Sequence, residues 1–123
     1  MVLTAEQHHP NIKIFVSAHK QATFPEGNSI VPVQVGAANA ATRFTNTLHD
    51  DEGVNISAEN PRYCELTAQY WAWKNEDADY YGFCHYRRYF HFTDTPHKEN
   101  DYGEIIDSYI DNHALAEYGI NDD

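Results

Sequence analysis

Residues 60–86, NPRYCELTAQYWAWKNEDADYYGFCHY, decide the fold. Asn60 has the short polar side chain favoured just before a helix, and Pro61 suits the first helical position, where the missing N–H would have no intrahelical partner. Tyr63, Leu66, Tyr70 and Trp73 then recur at helical spacing. That spacing predicts one apolar stripe holding the helix to a sheet, with Trp71 off the stripe. Lys74 and Asn75 close the helix. After an acidic turn, residues 79–86 (DYYGFCHY) read as a buried strand. Tyr81, Phe83 and His85 would face one side of it, and Tyr80, Gly82, Cys84 and Tyr86 the other.

Upstream, residues 12–17 (IKIFVS) are β-branched and aromatic and predict a strand, which stops where polarity returns at Ala18-His19-Lys20. Residues 25–28 (PEGN) signal a turn. Residues 30–35 (IVPVQV) are apolar, but Pro32 cannot donate to a ladder, so an edge strand or extended segment is expected. The alanine run within residues 36–46 is compatible with a helical turn, and residues 50–53 read as a loop. Downstream, residues 93–101 form a polar loop. Residues 102–118 predict a second helix with Ile105, Ile106, Tyr109, Ile110 and His113 on one stripe and Gly119 as its cap. Residues 1–10 read as a loose leader and 11–123 as one domain. Strand, helix, strand in this order suggests an α/β fold with a parallel sheet and flanking helices. Two clear strands are few for a covered sheet, and the chain ends after a helix where another strand is expected, so a partial, truncated domain is expected.

The net charge is -11, from 19 acidic and 8 basic residues. Phosphate backbones and anionic lipids need basic surfaces, so nucleic acid and a polybasic membrane grip are disfavoured. Cys64 and Cys84 lack metal-site spacing and read as reduced core thiols. No signal peptide and no spanning run occur, so a cytoplasmic protein with at most peripheral membrane contact is expected. The open edge and uncovered face of a partial sheet make self-association an expectation as well.

His85-Tyr86-Arg87-Arg88-Tyr89-Phe90 follows the second strand directly. In open α/β sheets ligands bind beyond the carboxyl ends of the strands. Two guanidiniums there can grip a diphosphate through bidentate hydrogen bonds. The plain alternative is that one Arg pairs with a carboxylate and the other is solvated. His19 and Lys20 end the first strand and would lie near the same edge. Asn55, Asn60 and Glu65 bracket the helix start, where an anion or a ribose can be held, with capping as the main role of Asn60. Asp50-Asp51 could hold a divalent ion, but a charged loop is the commoner explanation. The eight histidines form no HExxH pair. The absence of GxSxG, P-loop and GxGxxG patterns disfavours hydrolase, NTPase and dinucleotide readings.

IKIFVSAHK, IVPVQVGAA, NISAENPRYCELTAQYWAWKN and DADYYGFCHYRRYF together resemble one family over residues 12–90. It is a formerly uncharacterised domain of capsular and exopolysaccharide biosynthesis proteins, grouped with GT-A-type glycosyltransferases and longer than this chain. The resemblance implies a Rossmann-type, GT-A-like sheet, a nucleotide-diphosphate-sugar donor and transfer to a glycan acceptor. This chain would be the donor-binding N-terminal portion, with the nucleotide-diphosphate sugar as its substrate and a divalent metal possible but not indicated. Donor contacts would come from His19, Lys20, Asn55, Glu65, His85, Tyr86, Arg87 and Arg88. Asp77-Ala78-Asp79 has the form of a metal-binding DxD but precedes a strand, so a solvated turn is expected. HYRR stands about where a DxD would, and its cations could replace a metal ion. The alternative is a non-catalytic remnant or a carbohydrate- or protein-binding module.

Overall fold

The structure is a computed structural model that describes residues 10–89, 92–93, 97–102, 104, 112–117 and 119. Four strands form one parallel sheet: β1 (Ile12–Ala18), β2 (Ile30–Gln34), β3 (Leu48–His49) and β4 (Tyr80–His85). Their order is β3-β2-β1-β4. Short 3₁₀ turns at Ala37–Asn39 and Ser57–Glu59 lie in the connections, and α1 (Asn60–Tyr63) and α2 (Leu66–Asn75) lie between β3 and β4. A further helix, α3, spans Asn112–Glu117. The architecture is α/β and Rossmann-like.

β1 is the central strand, and residues 15–18 of it are all buried. Alternation sends Phe15 to the face covered by α2. There Phe15, Val33 and Val35 pack with Ala68, Trp71 and Ala72, flanked by Val31 and Phe83. Phe83 and Tyr81 stack on Phe15 at ring centroids 5.5 and 6.1 Å, and Trp71 meets it edge-on at 6.4 Å. The other face carries Val16, Pro32 and Gln34. Gln34 is fully buried, donates to Thr42 O and accepts from Phe44 N, which ties residues 42–46 over that face.

Several expectations change. The helix is broken: Cys64 has φ 52 and separates α1 from α2, so Tyr63 and Leu66 belong to different helices and their spacing carries no phase. Of the expected stripe, Tyr63, Leu66 (52%) and Trp73 (66%) are exposed and Tyr70 is half-buried, while Trp71 is only 4% exposed. Phe15 already fills the space under α2, so the helix approaches through two alanines and one indole, whose Nε1 donates to Glu52 O. Asn60 does not cap: its amide donates to Cys64 O and Thr67 Oγ1.

β2 is an interior strand, flanked by β1 and β3. Pro32 is tolerated because the two-residue β3 pairs only with Val33 and Gln34, leaving the β3 side of β2 open at Pro32. β4 is the outer strand among the described residues rather than a buried one, with Tyr80 63% exposed. Cys64 is exposed, not a core thiol; Cys84 is partly buried, and burial pushes its thiol up to about 12. Of the predicted second helix, Asn112–Glu117 is helical, with His113 exposed and Ala114 buried, whereas Tyr102 lies in a turn and Glu104 outside any helix. Ile105, Ile106, Tyr109 and Ile110 lie outside the described residues, as do residues 1–9 of the leader. Gly119 has φ 74, the left-handed geometry expected of a helix cap.

Candidate anion-binding site

The chain runs from β1 outward to β2 and β3, then crosses back to β4 on the other side of β1. The strand order therefore reverses at β1, with β4 on the side away from β2 and β3. Open α/β sheets bind ligands at such a switch point. β1 ends there in His19 and Lys20, and β4 in His85, Tyr86, Arg87 and Arg88.

These side chains converge. The His19 ring lies 5.5 Å from that of His85 and 5.4 Å from that of Tyr86, and the His85 and Tyr86 rings are 4.6 Å apart. Tyr86 N donates to Ser17 O at 2.9 Å, extending the β1–β4 ladder one residue past the strand. Arg88 N then donates to His85 O at 2.8 Å, and Arg87 N to His85 Nδ1 at 3.2 Å, so the chain turns tightly and presents both arginines. The Arg87 guanidinium lies 5.4 Å from the Tyr86 ring centroid. Both arginines are exposed, and among the described residues neither forms an ion pair. The carboxylate partner that the plain alternative called for is not found in that set.

Glu65 arrives from the α1–α2 break, with Oε1 3.9 Å from His85 Nε2. That exceeds hydrogen-bond length, yet the charge acts on the ring. Burial, then the Arg87 guanidinium, hold the His85 imidazole below its ordinary value; His19 and Arg88 push the same way and Glu65 pushes against them. Behind the turn, burial and the neighbouring Cys84 hold the Tyr89 phenol above its usual range.

The family model described as "Domain of unknown function (DUF4422)" matches residues 13–120. The chain belongs to this family. Among solved structures, this DUF4422 chain is similar to the apo structure of WbbM, a bifunctional glycosyltransferase, at 42% identity and a TM-score of 0.84. The match covers 90% of this chain and 20% of that one, so the DUF4422 chain spans about a fifth of the length of the protein it resembles. The family is glycosyltransferase-like. No curated protein sequence matches the chain.

Not every predicted residue reaches the switch point. His19, Glu65, His85, Tyr86, Arg87 and Arg88 gather there, and Lys20 is exposed beside His19. Asn55 does not join them. Its amide donates to Asp51 O and Gly53 O and accepts from Ser57 N, shaping the loop after β3. Residues 77–79 lie at the opposite, amino edge of the sheet, where Asp79 Oδ2 accepts from Asn11 N; this is the solvated turn expected there.

The sequence reading missed the role of Asp50. It is fully buried at the end of β3, where its carboxylate accepts from Gly36 N, Ala37 N, Ser57 Oγ and Thr67 Oγ1. Gly36 has φ 65, and a Cβ there would come within 2.8 Å of the Asn60 side chain. No local signal separates Asp50 from its neighbour Asp51, which pairs bidentately with Arg43 on the surface. Both carboxylates are thus engaged by protein donors.

Proposed function

We propose that this chain is the donor-binding N-terminal portion of a GT-A-type, nucleotide-sugar-dependent glycosyltransferase domain acting in capsular or exopolysaccharide synthesis, with residues 11–123 as that portion. The observation that carries the reading is the cation cluster at the β1–β4 switch point of a glycosyltransferase-like sheet. In a chain of net charge -11, a diphosphate needs local cations to offset the overall field. Arg87 and Arg88 grip its oxygens, His19 and Lys20 face it from β1, and Glu65, His85 and Tyr86 shape the wall. The charge on the leaving diphosphate is met by the arginines without a metal ion. The acceptor is a growing glycan. The protein works at the cytoplasmic face of the membrane, with peripheral contact at most; no helix among the described residues is long and apolar enough to cross a bilayer.

The test is calorimetry of the chain with a panel of UDP- and GDP-sugars, followed by a transfer assay with oligosaccharide acceptors. Saturable binding lost in Arg87→Ala and Arg88→Ala supports the donor site; binding unchanged in both variants removes it.

One observation favours a second reading, a carbohydrate- or protein-binding module or non-catalytic remnant: the exposed face of α1 and α2 carrying Tyr63, Leu66 and Trp73. The same exposed surface, with the outer strand β4, would support self-association. Glycan binding lost in Trp73→Ala, with nucleotide sugars not bound, would favour that reading.

A further inference from the structure

At the end of β4 a titratable ring is tied to the main chain of the cation turn. Arg87 N donates to Nδ1 of His85, while Arg88 N donates to the carbonyl of the same residue. We infer that His85 is a positioning residue for the arginine pair: its unprotonated Nδ1 holds the Arg87 main chain, and protonation there releases the turn and weakens donor binding. The inference rests on the donor reading above.

A side-chain acceptor taking the N–H two residues on does what Asn and Asp oxygens do in an Asx-turn. In the neutral ring one nitrogen accepts and the other donates. Because Nδ1 accepts from Arg87, the proton sits on Nε2, the nitrogen facing Glu65. A second proton on Nδ1 would leave two N–H groups opposed and the Arg87 amide without its acceptor. The turn then rests on Arg88 N and the ladder bond of Tyr86 N alone.

The groups facing the ring come from three places. Glu65, at the break between α1 and α2, favours the charged ring. His19, at the end of β1 and followed by Lys20, disfavours it. Arg87 and Arg88, beyond β4, disfavour it too, and the Tyr86 ring packs alongside. The side chain is 18% exposed, and burial is the leading influence against charge. The balance keeps Nδ1 free to accept at neutral pH. The release therefore falls on the acid side of the ordinary imidazole value of about 6.5. A bound diphosphate pulls the opposite way, toward a charged ring, so the sign of the pH dependence decides between positioning and direct charge pairing.

The experiment measures the affinity of the chain for UDP-glucose and GDP-mannose from about pH 5 to 8, a range in which both fully esterified phosphates keep their charge and only imidazoles among ordinary side chains titrate. In the parent, affinity falls about three- to tenfold on acidification, the worth of one hydrogen bond. His85→Phe keeps a ring without an acceptor and binds weakly at every pH. His85→Asn restores an acceptor for the Arg87 N–H that does not titrate, recovers most of the affinity and loses the fall on acidification. Without ligand, the ¹⁵N amide resonance of Arg87 follows the titration of the His85 ring. Parent affinity that is flat or rises on acidification overturns the inference, as does an Arg87 amide indifferent to His85. Binding of neither nucleotide sugar overturns the donor reading instead, and the amide titration then still decides the turn.

Discussion

The carboxyl edge of the sheet is built in two opposite ways. At the β2–β3 end, the backbone amides of Gly36 and Ala37 converge as they would around an anion, and the buried carboxylate of Asp50 occupies them. Ser57 and Thr67 complete its shell, so that end is sealed. At the β1–β4 end, His19, Lys20, Arg87 and Arg88 gather with the Glu65 carboxylate beside His85. One end spends an anion on holding loops together; the other leaves cations at the surface. On the proposed reading an incoming anion binds at the switch point, and the two ends should respond to mutation differently, in stability at the first and in binding at the second.

The largest effect is expected at the sealed end. Asp50→Ala removes the acceptor for four buried or part-buried donors and should cost about 3–5 kcal/mol of stability, since each stranded buried donor costs about 1–3 kcal/mol and the shell relaxes in part. Urea denaturation measures this; an Asp50→Ala protein as stable as the parent would break the comparison at its root. Trp71→Ala should cost a similar 3–5 kcal/mol, because it empties the contact between α2 and Phe15. Trp73→Ala should cost less than about 1 kcal/mol, little more than its contact with Lys74, whose Nζ sits 3.9 Å from the ring centroid. The reverse order in paired melts would restore the outward stripe to the core.

At the open end, Arg87→Ala and Arg88→Ala should each lower nucleotide-sugar affinity by about ten- to a hundredfold, or 1.5–3 kcal/mol, with the melting curve nearly unchanged. Binding should survive EDTA. Affinity lost on chelation would defeat the metal-free grip, and a fall in stability to match Asp50→Ala would erase the contrast between the ends.

The smallest effect lies on the rim of the sealed end. The hydrogen bond from Arg43, followed by its charge, lowers the Asp51 carboxyl below its usual value against a burial penalty. A depressed carboxylate stabilises the fold above its unfolded value of about 3.9 and loses that contribution as pH falls through the folded value. Arg43 is half exposed, so solvent screens the pair and its contribution is minor. Thermal melts of Asp51→Asn should run slightly below the parent near neutrality and converge with it toward the acid end; a gap that widens on acidification would contradict the assigned sign.

Much of the site was legible before the fold was known, because it needs only strand ends. A run such as residues 79–86 is recognisable from alternation, and polar residues directly after it must lie at the sheet edge. Hence His19, Lys20, His85, Tyr86, Arg87 and Arg88 could be named from the chain, and Glu65 from its place at a helix start. Asn55 was placed by the same helix-start reasoning, and its amide serves the loop after β3. Asp50 was illegible, since an acidic loop residue looks the same whether solvated or buried under four donors.

The chain by itself determined an α/β sheet, the parallel pairing of its strands and the cations that crown it, for these follow from local periodicity and from the short reach of connections. The tertiary structure alone decided which face of α2 is buried, that β2 is interior despite Pro32, and that Asp50 closes one end of the edge. The reason is that large aromatic side chains mark apolarity but not available volume. With Phe15 already filling the space beneath α2, only Ala68, Ala72 and one indole fit against it, and Tyr63, Leu66 and Trp73 are turned to the outside.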